Sequence, residues 1–462
     1  MPAETSATDT ELNRDIMLGW FGRAEKPAQQ LVGTEQEKFV VAVDADDGSI
    51  RPVEYERHVA PVLDALCRRF GWTPADRGIA GETVGLSRGR ASITLEPGGQ
   101  LELSGEPLPD LHATCAEFTA HQRELHDVGS DLGLTFLATG FHPFATREAI
   151  HWMPKGRYKV MREYLPTRGA QALDMMLRTC TVQANFDYAN ERQCGERLRV
   201  AMASSALVTG LFANSPYLEG RPSGYRSTRS AVWSNVDPDR CGLLEFVFDG
   251  DFSYEKYVDW ALDVPMFFVH RDGHYWPHHV PFRRFLEAGF VAPDGRRHRA
   301  TTADWELHLS TVFPEVRLKP YIEVRGADSV ALGQVCSLPA FCKGLMEDDH
   351  AIAASWELLA PLTFGERLSL WEDARRHGLS SPRVHDLTRR LYRIARDTLD
   401  RIAVRGPSGR TEARFLDPLD EFVTTQRTPA DVALETLTGP WDSSAESVRE
   451  FTRHFYFAGV RP

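Results

Sequence analysis

Residues 178–187 read RTCTVQANFD, and from Thr179 onward polar and apolar side chains alternate. Successive side chains of a β-strand point to opposite faces, so this period of two predicts a strand with one apolar face. The other face carries Gln183 and Asn185. This strand therefore presents one apolar face and one face that carries hydroxyls, amides and an acid.

Three further segments combine the same alternation with acidic residues. LVGTEQEKFVVAV (31–43) places Glu35 and Glu37 on one face. SITLEPGGQLELSG (92–105) reads as two short strands around a Pro-Gly-Gly turn, and PYIEVRG (320–326) alternates in the same way as 178–187. Each of these strands therefore presents an apolar face and a face with acids, amides or an arginine; the additional polar residues are Glu96, Glu102, Glu323 and Arg325.

The acidic faces allow two interpretations. A half-exposed antiparallel sheet commonly turns a polar face to water, and its charges then have no specific role. Alternatively, carboxylates from several strands gather on one concave face, where they repel one another unless cations lie among them. Oxygen ligands of this kind suit Mg²⁺, and a magnesium-loaded sheet can hold a nucleoside triphosphate without a phosphate-binding loop. The sequence contains no GxxxxGK[ST], GxGxxG, HExxH or GxSxG motif.

Two basic segments interrupt this acidic pattern. MPKGRYKVMREYLP (153–166) contains Lys155 and Arg157, and GYRSTRSAVW (224–233) contains Arg229. Arg178 opens the alternating stretch described above. Such groups are suited to bind carboxylate or phosphate, although ordinary surface arginines give the same pattern.

Composition excludes several classes of protein. The 462 residues include 53 Lys plus Arg and 65 Asp plus Glu, a formal charge of −12, which argues against wrapping nucleic acid or lying on anionic lipid. No apolar run is long enough to span a bilayer, and the polar start lacks the layout of a signal or transit peptide. Seven widely spaced cysteines without a CxxC motif predict a reducing compartment, and we expect a cytoplasmic protein.

The chain divides by character into three parts. Residues 1–15 read as a flexible lead, and residues 16–345 mix strands with helices. Residues 346–462 show helical periods, a Thr428-Pro429 helix start and no convincing strand. We expect this helical C-terminal region to pack on the same domain as the mixed region.

Many segments, in order, resemble the plant and proteobacterial type of glutamate–cysteine ligase. The resemblance implies an α+β fold like that of glutamine synthetase, with a curved, mainly antiparallel sheet, helices on its outer face and a helical C-terminal region. The matching segments are GTEQEKF (33–39), LEPGGQLELSG (95–105), LHATCAEF (111–118), MPKGRY (153–158), LDMMLRTCTVQANFD (173–187), LFANSPYLEG (211–220), YVDWALDVPMFFV (257–269), DWELHLSTVFPEVRLKPYIEVRGAD (304–328) and SLPAF (337–341).

The resemblance also implies an activity. That family uses ATP to join the γ-carboxylate of L-glutamate to the amine of L-cysteine through γ-glutamyl phosphate, giving γ-glutamylcysteine, the first step of glutathione biosynthesis. On this basis Mg²⁺ is expected as the cofactor, with small-molecule substrates, no nucleic acid or membrane partner, and a monomer or homodimer. The metal ligands implied are Glu35, Glu37, Glu96, Glu102 and Glu323.

Other roles follow from the same resemblance. Glu323 and Arg325 are expected to be catalytic, with Arg325 meeting the transferring phosphoryl group. Gln183 and Asn185 would contact the nucleotide, or water on its metal. The expected substrate-binding residues are Arg229, Arg178, Arg157 and Lys155, with Arg229 or Arg178 on the α-carboxylate of glutamate.

A cysteine pair of the plant enzymes falls on Cys115 and Cys336, so the resemblance predicts a disulfide there despite the reducing compartment. Two rival functions remain open. A related ligase would activate glutamate but transfer it to a different amine. A non-catalytic homologue would bind the same ligands without turnover.

Overall fold

The fold is organised by one sheet, which contains 11 strands in the described part of the chain. The computed structural model describes residues 11–44, 48–439, 441–442 and 444–461. The strands are β1 (Val32–Val43), β2 (Ile50–Pro52), β3 (Thr73–Arg77), β4 (Thr83–Arg88), β5 (Ala91–Leu95), β6 (Leu101–Ser104), β7 (Leu134–Leu137), β8 (Thr181–Phe186), β9 (Tyr217–Leu218), β10 (Arg221–Pro222), β11 (Cys241–Gly242), β12 (Phe268–Arg271), β13 (His274–Pro277), β14 (Phe290–Val291), β15 (Arg297–His298), β16 (Phe313–Pro314), β17 (Val316–Leu318), β18 (Ile322–Asp328) and β19 (Tyr456–Gly459).

Helices surround this sheet, and none in the described residues is long and apolar enough to cross a membrane. They are α1 (Arg14–Gly22), α2 (Ala60–Phe70), α3 (Leu111–Leu132), α4 (Gly156–Tyr164), α5 (Ala172–Arg178), α6 (Glu191–Leu211), α7 (Thr228–Trp233), α8 (Tyr254–Asp263), α9 (Phe282–Ala288), α10 (Thr302–Leu309), α11 (Leu332–Val335), α12 (Ser337–Met346), α13 (Asp349–Leu359), α14 (Phe364–His377), α15 (Pro382–Ile402), α16 (Asp420–Thr425), α17 (Pro429–Thr436) and α18 (Ala445–His454).

Strand β1 is the centre of the sheet. The main path runs β17-β18-β8-β1-β6-β5-β4-β3, and every pairing in it is antiparallel. The first half of β1 pairs with β6 and β8, whereas its second half pairs with β2 and β7. The strands predicted in 31–43 and 92–105 are confirmed. The strand predicted for 178–187 is confirmed only from Thr181, because Arg178 still belongs to α5.

One face of the sheet is covered by helices α3, α6 and α12, which contact β1, β18 and β8 respectively. Val182, Ala184 and Phe186 of β8 are buried and belong to the main core, as their alternation predicts. Helix α6 is buried along most of its length, so it lies inside the molecule rather than at its surface. The opposite face of the central strands is left for the polar residues.

The C-terminal region corrects one expectation. Its helical periods are confirmed by α15, and Thr428 caps α17 through a capping box with Asp431. The expectation that no strand occurs after residue 346 is wrong, since Tyr456–Gly459 form β19, which pairs with β7 of the main sheet. Phe457 of this strand belongs to the same core cluster as the central strands. Strand β19 is extended because it pairs with β7, which is distant in the sequence. Local periodicity does not reveal such pairing.

Candidate active site

Strand register brings the predicted polar residues to one face. Glu37 lies opposite Glu102 on β6, and Glu35 lies opposite Gln183 on β8. Across the next pair of strands, Glu323 on β18 lies opposite Asn185. Residues directly opposite one another in an antiparallel pair point to the same face, so four strands contribute to one polar surface. Glu96 follows β5 directly and belongs to the turn that leads to β6.

The carboxyl groups of Glu35 and Glu102 are the most closely associated acids of this face. Glu35 accepts hydrogen bonds from the side-chain amides of Asn185 (2.7 Å) and Gln183 (3.2 Å). Glu102 accepts one from the hydroxyl of Thr94 (2.6 Å). Burial, and then the charges of Glu102 and Glu323, raise the pKa of Glu35 to about 7. Glu35 therefore holds a proton readily, or accepts a cation in its place.

Glu37 extends this acidic surface. Its carboxylate accepts a hydrogen bond from the backbone N–H of Thr181 (3.0 Å). Burial, followed by the charges of Glu96 and Glu102, raises its pKa well above the ordinary value, and Arg229 and Arg325 oppose the shift. An added cation would stabilise the ionised form of Glu37 against burial and against the charges of these acidic neighbours.

Glu323 has a different environment from the other acids of this face, and its role as a metal ligand stays a prediction. It is fully buried, and Arg317 donates to both of its oxygens, at 2.8 and 2.9 Å. Lys319 lies 3.1 Å from one oxygen and Arg325 lies 3.0 Å from the other. Burial alone would raise the pKa of Glu323, but these three cations hold it well below its ordinary value. With both oxygens occupied by cationic donors, Glu323 acts as their counter-ion.

Arg325 and Arg229 form the basic side of the site. Arg325 extends from Glu323 toward the side-chain oxygen of Gln183, 3.5 Å away. Arg229 donates to the backbone carbonyl of Arg325 (2.8 Å), and Trp233 lies beside both guanidinium groups, 5.5 Å from that of Arg325 and 5.9 Å from that of Arg229. The Nε atom of Arg229 is buried without a hydrogen-bond partner among the described residues. This group is therefore available to a ligand.

The start of α7 fixes the position of Arg229. Asp328, at the end of β18, accepts hydrogen bonds from the hydroxyls of Ser227 and Ser215, both at 2.7 Å. Ser215 in turn accepts a hydrogen bond from the backbone N–H of Arg229 (3.2 Å). Strand β18 thus carries the acid Glu323, the cation Arg325 and the residue that anchors the helix of Arg229.

Lys155 and Arg157 lie on the side of the site formed by β5 and β6. Lys155 is buried at the start of α4, with its ammonium 3.5 Å from Asp76. Burial and the neighbouring Arg157 lower the pKa of Lys155, whereas Glu96 and Glu102 act against this shift. The structure thus places both basic residues near acidic residues of the polar face.

The structure does not bring Arg178 to the polar face. It ends α5, where its guanidinium contacts Asp174 (2.7 Å) and Glu219 (2.9 Å). Two carboxylates already neutralise this arginine, so the structure gives no support for it as the glutamate ligand. The alternating sequence extended the predicted strand too far toward the N-terminus and placed Arg178 on the sheet.

Arg317 and Lys319 belong to the site but were not among the predicted residues. Arg317 is opposite Glu323 in the β17–β18 hairpin, and Lys319 lies in the connection between the two strands. The available signal is the alternation of VRLK (316–319), which puts both cations on one face just before a proline. Alternation alone does not show that a buried carboxylate lies across from them.

The described residues contain no group of three or more His, Cys, Asp or Glu side chains arranged to hold a metal ion. The acids of the polar face are nevertheless oxygen donors, as Mg²⁺ requires. The side-chain oxygen of Asn185 is buried without a partner in the described part of the chain, although its nitrogen is bonded to Glu35. The donor set therefore fits Mg²⁺ chemically, and the magnesium site remains a prediction.

Cys115 on α3 and Cys336, immediately before α12, form a disulfide with a Cα–Cα distance of 5.9 Å. The predicted pairing is confirmed in the structure. The bond joins two helices that flank the sheet.

Comparison with known proteins identifies the family. The model of glutamate–cysteine ligase family 2 matches residues 31–453. The chain belongs to this family. The chloroplastic glutamate–cysteine ligase of Arabidopsis thaliana is 41% identical over 97% of this chain and 84% of its own length. That of Brassica juncea is 41% identical over 97% of this chain and 85% of its own length. The predicted enzyme class, glutamate–cysteine ligase, is confirmed.

A solved glutamate–cysteine ligase supports the fold of this family member. The Francisella tularensis enzyme, determined in complex with AMP, has a TM-score of 0.54 and 13% identity, covering 93% of this chain and 89% of that chain. At this identity the likeness concerns the fold alone. The predicted α+β class with a mainly antiparallel sheet is confirmed.

The same comparisons correct the expected location of this glutamate–cysteine ligase. Its curated relatives are named chloroplastic, so their names do not support a cytoplasmic location. The expectation of a cytoplasmic protein is therefore wrong. It rested on cysteine usage and on the polar start of the chain, and neither feature distinguishes one reducing compartment from another.

Proposed function

We propose that the protein uses ATP and Mg²⁺ to join the γ-carboxylate of L-glutamate to the amine of L-cysteine, through γ-glutamyl phosphate. Membership of glutamate–cysteine ligase family 2 supports the overall reaction. The observation that carries the mechanism is the polar face of the sheet, where Glu35, Glu37 and Glu102 lie beside Arg229 and Arg325.

The reaction explains why the site needs both acidic and basic side chains. A carboxylate is a poor acylating group, so its γ-oxygen first takes the terminal phosphoryl group of ATP, and ADP leaves. The amine nitrogen then attacks the acyl carbon, the carbon–oxygen bond to phosphate breaks, and the nitrogen loses a proton. Phosphoryl transfer of this kind depends mainly on positioning and on neutralisation of charge.

Glu35, Glu37, Glu96 and Glu102 would hold magnesium, with the free side-chain oxygen of Asn185 nearby. Bound Mg²⁺ would neutralise the phosphate oxygens of ATP. The raised pKa values of Glu35 and Glu37 support this assignment, since burial and then the charges of neighbouring acids disfavour their ionised forms, and a bound cation offsets both effects. Glu323 is left out because Arg317, Lys319 and Arg325 occupy its oxygens.

The arginines would bind the anionic parts of the substrates. Arg325 is held in place by Glu323 and reaches to Gln183, so it can contact the transferring phosphoryl group. Arg229 keeps an unpartnered Nε beside it and would take the α-carboxylate of glutamate. A guanidinium group can bind both oxygens of a carboxylate or phosphate through two N–H donors and so fix its orientation. The ammonium group of a lysine does not fix the orientation of such a group in this way.

Lys155 and Arg157 would contact the substrates from the side formed by β5 and β6. The ammonium of Lys155 is buried and faces Asp76, and the Nε atom of Arg157 is buried without a hydrogen-bond partner in the described residues. A buried ammonium and a buried guanidinium N–H at the edge of an acidic surface suit an anionic ligand that lies between them and the metal.

We further propose that residues 16–345 and 346–462 work as one domain. The core that supports the site includes residues of β8 together with Leu391 of α15 and Phe457 of β19. The buried ion pair between Lys343 and Glu412 (2.7 Å) links the two regions as well. The C-terminal helices would then stabilise the sheet rather than bind substrate.

Release of ADP tests the proposal. The purified enzyme is incubated with ATP, Mg²⁺ and glutamate, with and without a panel of amines, and ADP is measured. Turnover that depends on cysteine supports the proposed reaction. Turnover with another amine identifies the related ligase instead, and nucleotide binding without ADP release identifies a non-catalytic homologue.

A further inference from the structure

A basic cavity lies in the C-terminal helical region. Its volume is about 410 Å³. Four of its seven lining residues are arginines, and the only lining acid is Asp400; the lining residues are Arg396, Asp400, Arg405, Arg410, Thr411, Ala413 and Arg414. In a chain with a net charge of −12, such a concentration of positive charge is unusual.

Three structural elements build this cavity. Arg396 comes from α15, and Arg405 and Arg410 come from the turn that follows it. Arg414 comes from the 3₁₀ helix Glu412–Leu419. A backbone hydrogen bond from the N–H of Gly406 to the carbonyl of Arg410 (3.1 Å) closes the turn, so its arginines are held close together.

The four guanidinium groups are only partly neutralised. Arg396 contacts Asp417 and Asp420, and Arg410 also contacts Asp417. Among the described residues, Arg405 and Arg414 have no carboxylate within ion-pair distance. Arg405 donates to the carbonyl of Gly409, and Arg414 donates to the hydroxyl of Ser408.

The positive charge of Arg405 and Arg414 favours a bound anion. Asp400 accepts a hydrogen bond from the hydroxyl of Thr411, and it is not an ion-pair partner of any of the four arginines in the described part of the chain. Like charges around one cavity repel, and an oxyanion among them removes this repulsion while taking paired N–H donors. Arginine is the residue best suited to hold phosphate or carboxylate in this way.

The cavity is separate from the polar face of the sheet. The 3₁₀ helix that carries Arg414 contacts α12 and α15, and α12 in turn contacts β8. Helix α12 therefore lies between the cavity and the sheet, and no lining residue belongs to the proposed active site.

We propose that this cavity is a second binding site of the protein, specific for a small molecule that carries two or more phosphate or carboxylate charges. Arg405 and Arg414 provide the donors that are not paired with a carboxylate, and Arg396 and Arg410, which are paired with Asp417 and Asp420, line the same cavity. The volume accommodates an organic phosphate or a polycarboxylate, and both share the oxyanion chemistry that the arginines recognise.

Calorimetric titration with inorganic phosphate and, separately, with citrate tests the proposal at constant ionic strength. The test variant is Arg405→Gln with Arg414→Gln, a change that leaves no carboxylate without its partner. The matched control is Arg389→Gln with Arg390→Gln, which removes the same charge from exposed positions on α15 that pair with Asp386.

We expect the wild type to bind at least one of the two anions. The test variant should weaken that binding at least about tenfold, and the control should change it less than about twofold. The anion that binds more tightly distinguishes an organic phosphate from a polycarboxylate. The proposal is overturned if the wild type binds neither anion, if the test variant binds as well as the wild type, or if both variants weaken binding equally.

Discussion

The guanidinium of Arg317 holds the carboxylate of Glu323 through hydrogen bonds of 2.8 and 2.9 Å, directly across the β17–β18 hairpin. Lys319 and Arg325 contact the same carboxylate, so one acid is the shared ion-pair partner of three cations in the proposed site. The acid is fully buried, and the energetic consequences of removing its charge are correspondingly large.

We expect Glu323→Gln to lose stability as well as turnover. Removing one partner of a buried ion pair leaves its counter-charges uncompensated, which costs ~3–5 kcal/mol in the free energy of unfolding. Denaturant unfolding measures this loss. The matched control is Glu357→Gln, because Glu357 is exposed on α13 and its substitution should leave stability unchanged.

The pH dependence of this loss provides a second check. The folded-state pKa of Glu323 lies below the ordinary pKa of a glutamate. The contribution of its charge to the free energy of unfolding is therefore complete at pH values above the ordinary pKa, and it is lost as pH falls toward the folded-state pKa. The difference between wild type and Glu323→Gln should therefore be largest near neutral pH and shrink in acid. A difference that stays constant with pH would show that the charge of Glu323 is not what stabilises the fold.

His308 should make the protein sensitive to mild acid. It is buried in α10 with Nε2 2.7 Å from the carbonyl of Ala261, and burial lowers its pKa to about 3. Because the unfolded state takes up a proton at His308 near pH 6.5 and the folded state does not, the contribution of His308 to stability falls as pH drops below that value. The expected loss from this residue alone between pH 7 and pH 5 is about 2 kcal/mol.

The variant His308→Asn cannot take up this proton in either state. Its unfolding free energy should therefore depend less on pH between 7 and 5 than that of the wild type, whatever its absolute stability. His350 is exposed, so His350→Asn should keep the wild-type dependence. Equal pH dependence in the wild type and His308→Asn would contradict the role given to His308.

Local patterns predicted the central strands well. Alternation predicted that Glu35, Glu37, Gln183 and Glu323 each lie on the polar face of their own strand, because side-chain direction in a strand follows from neighbouring residues alone. The strand register then brings these faces together. The same local signal could not identify β19, whose extended form depends on pairing with β7. Such pairing is decided by tertiary contacts.

The roles of individual charges were harder to predict. The sequence places Glu323 with the other acids, but its role depends on Arg317 across the hairpin and on Lys319 and Arg325 beside it. Arg178 was predicted to bind substrate, but in the structure its guanidinium pairs with Asp174 and Glu219. Which acid pairs with which cation is a property of the folded chain.

The acidic face should bind Mg²⁺ through Glu102. The Glu102→Gln variant removes one charge from the pair with Glu35, and we expect it to weaken Mg²⁺ binding at least about tenfold, or ~1.4 kcal/mol. Calorimetric titration with Mg²⁺ in the presence of a non-hydrolysable ATP analogue measures this change. Glu357→Gln serves as the control, and equal affinities in all three proteins would remove Glu102 from the ligand set.

Reduction of the Cys115–Cys336 disulfide should destabilise the fold. The bond joins residues 221 positions apart, and closing so long a loop restricts the unfolded chain, for an expected ~2–5 kcal/mol. Denaturant unfolding of oxidised and reduced protein measures the difference. Cys115→Ser should match the reduced protein, and Cys67→Ser, which alters a free cysteine, should match the oxidised one.

Arg229 should determine the affinity for glutamate. The variant Arg229→Lys keeps the positive charge but loses the planar pair of donors, so we expect KM for glutamate to rise about 10- to 100-fold with a smaller change in kcat. Steady-state ADP release at varied glutamate and varied ATP measures both constants. Arg221→Lys is the control, since Arg221 is exposed and lies outside the site.

The two substrates separate the possible roles of this arginine. If Arg229 holds the α-carboxylate of glutamate, KM for ATP should stay within about twofold of the wild-type value, because the phosphate groups then meet other residues. A rise in KM for ATP with an unchanged KM for glutamate would instead assign Arg229 to the phosphates. The contact of Arg229 with the backbone of Arg325 makes this distinction necessary, since both guanidinium groups lie near the ring of Trp233, at 5.9 and 5.5 Å respectively.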